Sequence, residues 1–248
     1  MAERNLVHGL HAVRWLLKRN PERVRQIWMQ GGREDARAQE IAELARQAGV
    51  TVQRAEGKAL EQLAGKVVHQ GVVADVAPSR TWNDAELLAN IEGLAGPPLV
   101  LLLDGVQDPH NLGACLRTAD ACGVHAVVVP RDRAAGLTPT VRKVAAGAAE
   151  TVPLATVTNL ARTMRALKEL NIWLVGTAAD AEKSTYEAKL DGALGIVMGG
   201  EGEGLRRLTR DSCDFLVRLP MSGAIESLNV SVATGMVLYE ALRQRSSR

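Results

Sequence analysis

Three segments of this chain place polar side chains where chemistry is possible. A hydrophobic run from Ala193 to Met198 breaks into Gly199-Gly200-Glu201-Gly202-Glu203-Gly204. Further on come Leu219-Pro220-Met221-Ser222-Gly223 and Ser227-Leu228-Asn229-Val230-Ser231. Well upstream lies Asn111-Leu112-Gly113-Ala114-Cys115-Leu116-Arg117-Thr118-Ala119. Each has the pattern of a strand end or loop feeding a helix. Together they hold glycines, two Glu, an Arg and two Asn. That inventory suits a small anionic or adenosine-bearing ligand beside a polar reacting group.

Taken singly, each segment has a plainer reading as well. Glycines at 199–204 let backbone N–H groups approach a ligand, or simply make a flexible strand–helix loop. The run is not a phosphate-binding P-loop, since no Lys-Ser/Thr follows, and Leu205 stands where a dinucleotide fingerprint needs its third glycine. Arg117 either snorkels from an apolar helix face, pairs with Asp120 or Asp104, or clamps a phosphate. Ser227 and Asn229 are favoured N-cap types. No nucleophile elbow and no His/Asp pair accompanies Ser227, which excludes hydrolase chemistry. The five histidines are scattered and show no metal-ligand spacing. Cys115 and Cys122 share a helix face without a CxxC and read as buried apolar thiols.

The elements that must position these residues fall into two regions. Residues 1–76 read as a compact α/β unit. Leu10, Val13, Leu16 and Leu17 mark one helix face, and Arg23–Met29 is a strand. A helix follows at Ala36–Ala48, and short strands at Val50–Gln53 and Gly71–Val76 flank a helix near Leu60. Trp15 and Trp28 are expected in the core. Residues 77–98, with three prolines and a polar middle, predict a linker carrying a short helix at Asp84–Glu92. From residue 99 to 248 short continuous apolar runs alternate with helical segments. The strands are Leu99–Leu103, Ala126–Val129, Ile172–Val175 and Leu194–Met198; the helices are Leu112–Cys122, Leu160–Leu170 and Leu205–Asp211. This is the signature of a parallel sheet covered on both faces. A closing helix, Leu228–Arg243, is expected to turn Val232, Met236 and Leu242 inward. The fold class is α/β.

Bulk composition narrows the function classes. Apolar residues make up 46% of the chain, enough for a sizeable core. No run approaches the roughly 18 apolar residues that span a bilayer, and no h-region follows the first residues, so a cytoplasmic protein without membrane contact is expected. Net charge is +2. Residues 1–76 carry the larger positive balance, twelve Lys/Arg against nine Asp/Glu. This permits nucleic-acid binding where arginines cluster in space, without predicting it. Aromatic content of 3% argues against a stacking platform for single strands.

Jointly the three segments are far more specific than any one alone. They resemble the three sequence motifs of the SpoU-type RNA 2'-O-methyltransferases of the SPOUT superfamily, over about Leu99 to Arg243. Val7-His8-Gly9-Leu10-His11-Ala12-Val13 and Val68-His69-Gln70-Gly71-Val72 are similar to the family's substrate-binding domain, an L30e/L7Ae-like fold. The resemblance implies a parallel sheet whose C-terminal part threads into a deep trefoil knot, an exception to the usual unknotted topology. It implies S-adenosyl-L-methionine as cofactor, held near Thr177, Gly199, Gly200, Leu219, Met221 and Leu228, and no metal. It places Asn111, Arg117, Glu201, Ser227 and Asn229 at the family's functional polar positions. The implied substrate is a guanosine 2'-hydroxyl in 23S rRNA, with another rRNA or tRNA nucleotide as the alternative, since related enzymes with similar catalytic halves act on different sites. The implied assembly is a homodimer with each site near the subunit interface. A non-catalytic RNA-binding protein would be expected to have lost some of the five polar residues. A nicotinamide enzyme would need the missing glycine.

Overall fold

The computed structural model describes residues 5–33, 35–65, 67, 69–77, 81–200, 202, 204–225 and 227–247. The chain divides into two compact units, Met1–Ser79 and Arg80–Arg248.

The first unit contains β1 (Leu6–His8), α1 (Leu10–Arg19), β2 (Val24–Gln30), α2 (Ala36–Gln47), β3 (Thr51–Ala55), α3 (Gly57–Ala64) and β4 (Val72–Val76). Its four strands lie in the order β1-β4-β2-β3. β4 pairs antiparallel with both β1 and β2, and β3 pairs parallel with β2. The apolar stripe of α1, Leu10, Val13, Leu16 and Leu17, packs with Ile41 of α2 and with Val72 and Ala74 of β4. Asp35 starts α2 by accepting from the N–H groups of Arg37 and Ala38. On β2 the alternation buries Ile27 and Met29 and leaves Trp28 on the opposite face, half-buried, with its indole N–H donating to Gln53 Oε1 at 3.0 Å. Trp15 is likewise half-buried. Neither tryptophan is a core residue, contrary to expectation, because each lies off the buried stripe of its own element.

The second unit opens with α4 (Asp84–Glu92) and continues β5 (Leu99–Asp104), α5 (Pro109–Ala121), β6 (Ala126–Pro130), α6 (Pro139–Ala145), α7 (Ala148–Thr151), β7 (Leu154–Val157), α8 (Leu160–Glu169), β8 (Trp173–Thr177), β9 (Lys183–Ser184), β10 (Leu194–Gly199), α9 (Arg207–Ser212), β11 (Phe215–Arg218) and α10 (Val230–Ser246). Seven strands form one sheet, β7-β6-β5-β10-β8-β11-β9, and every pairing is parallel. Successive residues of a strand face opposite ways. Accordingly Leu99, Leu101 and Leu103 of β5 enter one core with Leu112, Cys115 and Leu116 of α5, while Val100 and Leu102 enter a second core with Leu160 and Met164 of α8. Two covered faces explain why the strands read as unbroken apolar runs.

Strand order reverses beside β5. β6 and β7 add outward on one side, and β8 starts on the other side with β10 later filling the slot between β8 and β5. Ligands of open parallel sheets bind outside the carboxyl ends of strands at such a reversal.

Three expectations change in this unit. The helix at 84–92 is present with the expected bounds, closed by a capping box between Asn83 and Glu86. It is no free-standing linker element, since Leu87 and Ile91 are buried against Val100, Leu102 and Leu167. β7, β9 and β11, and the helices α6 and α7, were not anticipated. On α10 the buried residues are Val230, Thr234, Val237, Leu238 and Ala241, whereas Val232 and Met236 are 52% and 41% exposed. Apolar residues occur on both faces of this helix, so their spacing alone could not select the inward one. Leu242 is half-buried and packs on the core as expected.

Candidate functional site

The carboxyl end of β10 runs directly into the glycine segment. Gly200 and Gly204 form an antiparallel bridge, with the Gly204 N–H donating to the Gly200 carbonyl at 3.3 Å. Gly204 has φ +67°, a backbone setting that favours glycine. At Gly199 any Cβ would overlap the backbone of Gly204 and Leu205, so the loop closes on itself only because side chains are absent.

Asp104, at the end of β5, ties this loop down. Its side chain is fully buried. Arg206 donates to it through Nε at 2.6 Å, through a second guanidinium nitrogen, and through its backbone N–H at 3.1 Å. A buried carboxylate needs such partners, and here they come from the loop that must be held. This pair spans the chain from residue 104 to residue 206, and local spacing carried no signal of it. Asp104 is therefore Arg206's partner, and Asp120 accepts from Thr151 Oγ1 at 2.6 Å. Neither carboxylate pairs with Arg117. The Arg117 guanidinium is exposed and has no acceptor among the described residues.

Two helix starts meet beside the loop. Asp108 caps α5 by accepting from the His110 N–H at 2.8 Å. Asn229 caps α10, its Oδ1 accepting from the Ser231 N–H at 2.9 Å and from the Ser231 hydroxyl at 2.6 Å. The other end of the Asn229 amide donates to Oδ1 of the buried Asn111 at 3.0 Å. One side chain thus starts a helix and joins two segments 118 residues apart.

A cavity of about 830 Å³ opens at this end of the sheet. Thr177, Gly199, Gly200, Leu219, Met221 and Leu228 all line it, and so do Ser227 and Asn229. Its size is within the usual range for small-molecule sites, about 300–1,000 Å³. Thr177 is anchored at the floor by donating to the Val197 carbonyl at 3.4 Å. Asp180 and Arg210 also line the cavity and pair through two hydrogen bonds of 2.9 and 3.0 Å. That contact holds the Asp180 carboxyl below its ordinary range. Sequence reading missed this pair, whose members stand 30 residues apart with no motif around them.

A second cavity, about 390 Å³, lies on the other side of the glycine loop. Gly200 and Gly204 line both cavities. Asn111 lines the second, so the Asn111–Asn229 hydrogen bond connects the two. Arg117 lines neither. It sits six residues beyond Asn111 on α5, which turns it to another side of the helix. Glu201 lies outside the described residues.

All three cysteines are free. Burial pushes the Cys115 and Cys122 thiols up to about 11. Burial, reinforced by Asp214, pushes Cys213 up to about 12. Among the described residues no group of His, Cys, Asp and Glu is arranged to hold a metal ion, and no helix is long and apolar enough to cross a membrane.

Comparison with known proteins bears on this arrangement. The profile of the SpoU rRNA Methylase family matches residues 98–239, which span both cavities. The chain belongs to the SpoU rRNA methylase family. A second profile, RNA 2'-O ribose methyltransferase substrate binding, matches residues 6–82. Among SpoU relatives, the 23S rRNA (guanosine-2'-O-)-methyltransferase RlmB of Pseudomonas syringae pv. tomato is 55% identical over 100% of this chain and 99% of its own length. The crystal structure of the SpoU methyltransferase AviRb from Streptomyces viridochromogenes aligns at 26% identity and TM-score 0.69, covering 99% of this chain and 91% of that one. The same enzyme in complex with the cofactor AdoMet aligns at 24% identity and TM-score 0.68, over 98% and 91% of the two chains, a likeness of fold.

Proposed function

We propose that this SpoU protein transfers the methyl group of S-adenosylmethionine to the ribose 2'-hydroxyl of a guanosine in 23S rRNA. The carrying observation is that one glycine-walled cavity gathers all six residues expected at the cofactor, next to an Asn111–Asn229 pair that reaches a second, polar cavity. Identity of 55% along the whole chain to a 23S rRNA guanosine methyltransferase supports the substrate.

The residues fit the cofactor. The 830 Å³ cavity combines apolar walls, Leu219, Met221 and Leu228, with backbone exposed at Gly199 and Gly200, where a flat heterocycle can approach main-chain N–H and C=O groups. Bound there, S-adenosylmethionine supplies an electrophilic methyl group on a positively charged sulfur. The protein's part is positioning and charge stabilisation. Asn229 and Asn111 hold each other, which presents fixed amide dipoles between the two cavities. Ser227 adds a hydroxyl on the cofactor side. Arg117 acts through its guanidinium, by stabilising negative charge that develops on the attacking oxygen and by orienting an RNA phosphate. The hydroxyl proton leaves to phosphate or water. Glu201 is assigned, by its charge, to offset the sulfonium or to hold Arg117. A 2'-hydroxyl acceptor makes RNA the substrate rather than DNA.

The same proposal includes a homodimer. Val232, Met236 and Tyr239 of α10 are 41–56% exposed and, with Ala114 and Thr118 of α5, form an apolar surface that a second copy would cover. Arg117 adjoins that surface, which accounts for its distance from the cavities of its own chain. Threading of the C-terminal segment through a knot is supported by the late insertion of β10 between β5 and β8. Residues 1–76 are assigned to grip the RNA, residues 99–248 to catalysis, and the protein to the cytoplasm.

The test is direct. Ribosomal RNA lacking 2'-O-methyl groups is incubated with the protein and methyl-labelled cofactor, and label is mapped by resistance of the modified linkage to alkali. Label at one guanosine of 23S rRNA is expected. Label on bases, or none with cofactor bound, would refute the proposal.

A further inference from the structure

The smaller cavity has no assigned occupant. It is lined by Asp104, Gly105, Val106, Gln107, Asp108, Asn111, Arg133, Gly200, Gly204 and Arg206, and most of these groups are committed elsewhere. Asp104 is neutralised by Arg206. Asp108 is held at the start of α5 by the His110 N–H. Gln107 and Arg133 make no such contact among the described residues, and Arg133 is the cation of the two, an exposed residue at the wall.

Its backbone is unusual too. Arg133 has φ +59°, in the left-handed region that non-glycine residues seldom occupy. The segment around it is fixed, since the Ala135 N–H donates to the Val106 carbonyl at 3.0 Å and Thr138 caps α6 through the Val141 N–H. Ala134, Ala135 and Leu137 pack against the core. A strained residue held by its surroundings at the wall of a cavity is a setting in which ligand contacts concentrate.

Position narrows the ligand. Gly200 and Gly204 belong to the walls of both cavities. A Cβ on Gly200 would lie only 2.7 Å from the Gly105 carbonyl oxygen, so the two turns touch through bare main chain. Whatever fills the smaller cavity therefore lies alongside whatever fills the larger one. A volume of 390 Å³ is near the low end for ligand sites and suits one nucleotide better than an extended strand.

We propose that this cavity receives the nucleotide whose ribose accepts the methyl group, with Arg133 gripping a phosphate of that nucleotide. The assignment rests on the methyltransferase reading above. It makes Arg133 a substrate-binding residue separate from the Arg117 position and from the cofactor contacts. A guanidinium on a phosphate makes short, charge-assisted hydrogen bonds, and the phosphate gives up counterions when it binds.

The experiment uses the full-length protein and a 23S rRNA fragment, with Arg133→Ala and Arg133→Gly. Glycine adopts the left-handed backbone freely, so it separates loss of the guanidinium from strain in the loop. RNA affinity is measured by filter binding at several salt concentrations, cofactor affinity by calorimetry, and methyl transfer as kcat and KM for RNA. In both variants RNA affinity should weaken and KM rise by about tenfold or more, the loss expected for a charged hydrogen bond. The slope of log affinity against log salt should become shallower by about 0.7–0.9, one phosphate contact. Cofactor affinity should stay within about twofold, well under the 1.4 kcal/mol of a tenfold change. Unchanged RNA affinity and salt slope in both variants would overturn the assignment, as would equal loss of cofactor and RNA binding. Failure of the methyltransferase reading looks different, because there the wild-type protein itself would bind cofactor and RNA yet place no methyl group on a ribose.

Discussion

Adding one methyl group at Gly200 tests how the two cavities share a wall. The Cβ of Gly200→Ala would come 2.7 Å from the Gly105 carbonyl oxygen and 3.3 Å from that of Asp104, where ordinary contact begins at 3.4 Å. The turns must then separate by about 0.7 Å, the difference between 3.4 and 2.7 Å. Neither turn yields easily. Asp104 ends a central strand with Gly105 directly after it, and the loop carrying Gly200 is tied back to Asp104 by Arg206. The φ of Gly200 is not in the left-handed region, so the effect is steric. Overpacking of this kind costs about 1–3 kcal/mol. Because the displaced loop is the wall against which the cofactor is proposed to lie, S-adenosylmethionine affinity should fall by about five- to hundredfold, at about 1.4 kcal/mol per factor of ten. Titration calorimetry measures this, and thermal melting reports the stability cost. Gly192→Ala is the control, since nothing lies within 4 Å of its Cβ. Wild-type cofactor affinity in Gly200→Ala, with an unchanged melting temperature, would show that the loop accommodates the methyl group and that the close approach is not part of the site.

Asn229→Ala should lower stability by about 1–3 kcal/mol through loss of the α10 cap and of the hydrogen bond to the buried Asn111, whereas Asn229→Asp should keep the cap and most of the melting temperature while losing methyl transfer. Arg117→Ala should leave melting and cofactor affinity unchanged, because the side chain is exposed and lines neither cavity, and should abolish methyl transfer; retained turnover would refute its role. The three thiols, raised to about 11 or 12 by burial, should resist iodoacetamide at pH 8 in the folded protein and react fully in urea. Since their folded values lie above the ordinary thiol value of 9.0, the folded state holds its protons longer, so their contribution is fully present below pH 9 and stability declines as pH rises from 9 towards 11, which alkaline urea melts would follow. A fragment starting at Arg80 should fold and bind cofactor but methylate rRNA poorly, while one starting at Pro97 should be strongly destabilised by the missing Leu87 and Ile91, at about 2–5 kcal/mol per buried side chain; equal circular dichroism melts for the two fragments would refute that.

Several features of this protein were decided by local sequence. A strand with both faces covered must be apolar at every position, so β5, β6, β8 and β10 stood out as unbroken runs. The helix at Asp84–Glu92 was placed with its observed bounds, and the structure shows the capping box between Asn83 and Glu86 that closes its start. The three polar motifs were legible jointly rather than singly, through the resemblance that they carry together along the chain. What spacing could not supply was everything created by distance in the chain. The Asp104–Arg206 and Asn111–Asn229 contacts join segments more than a hundred residues apart. They depend on where β10 enters the sheet, and no local pattern encodes that. β7 and β11 have four residues each, too few for a period to declare itself. α10 is apolar on both sides, so only packing against α5 and β10 chose Val237 and Leu238 for the core and left Val232 and Met236 outside. The second cavity, with Arg133 at its wall, arises from three loops converging at the end of the sheet. Side-chain chemistry was thus set by sequence, and its assembly into adjoining cavities by the order in which the strands were laid down.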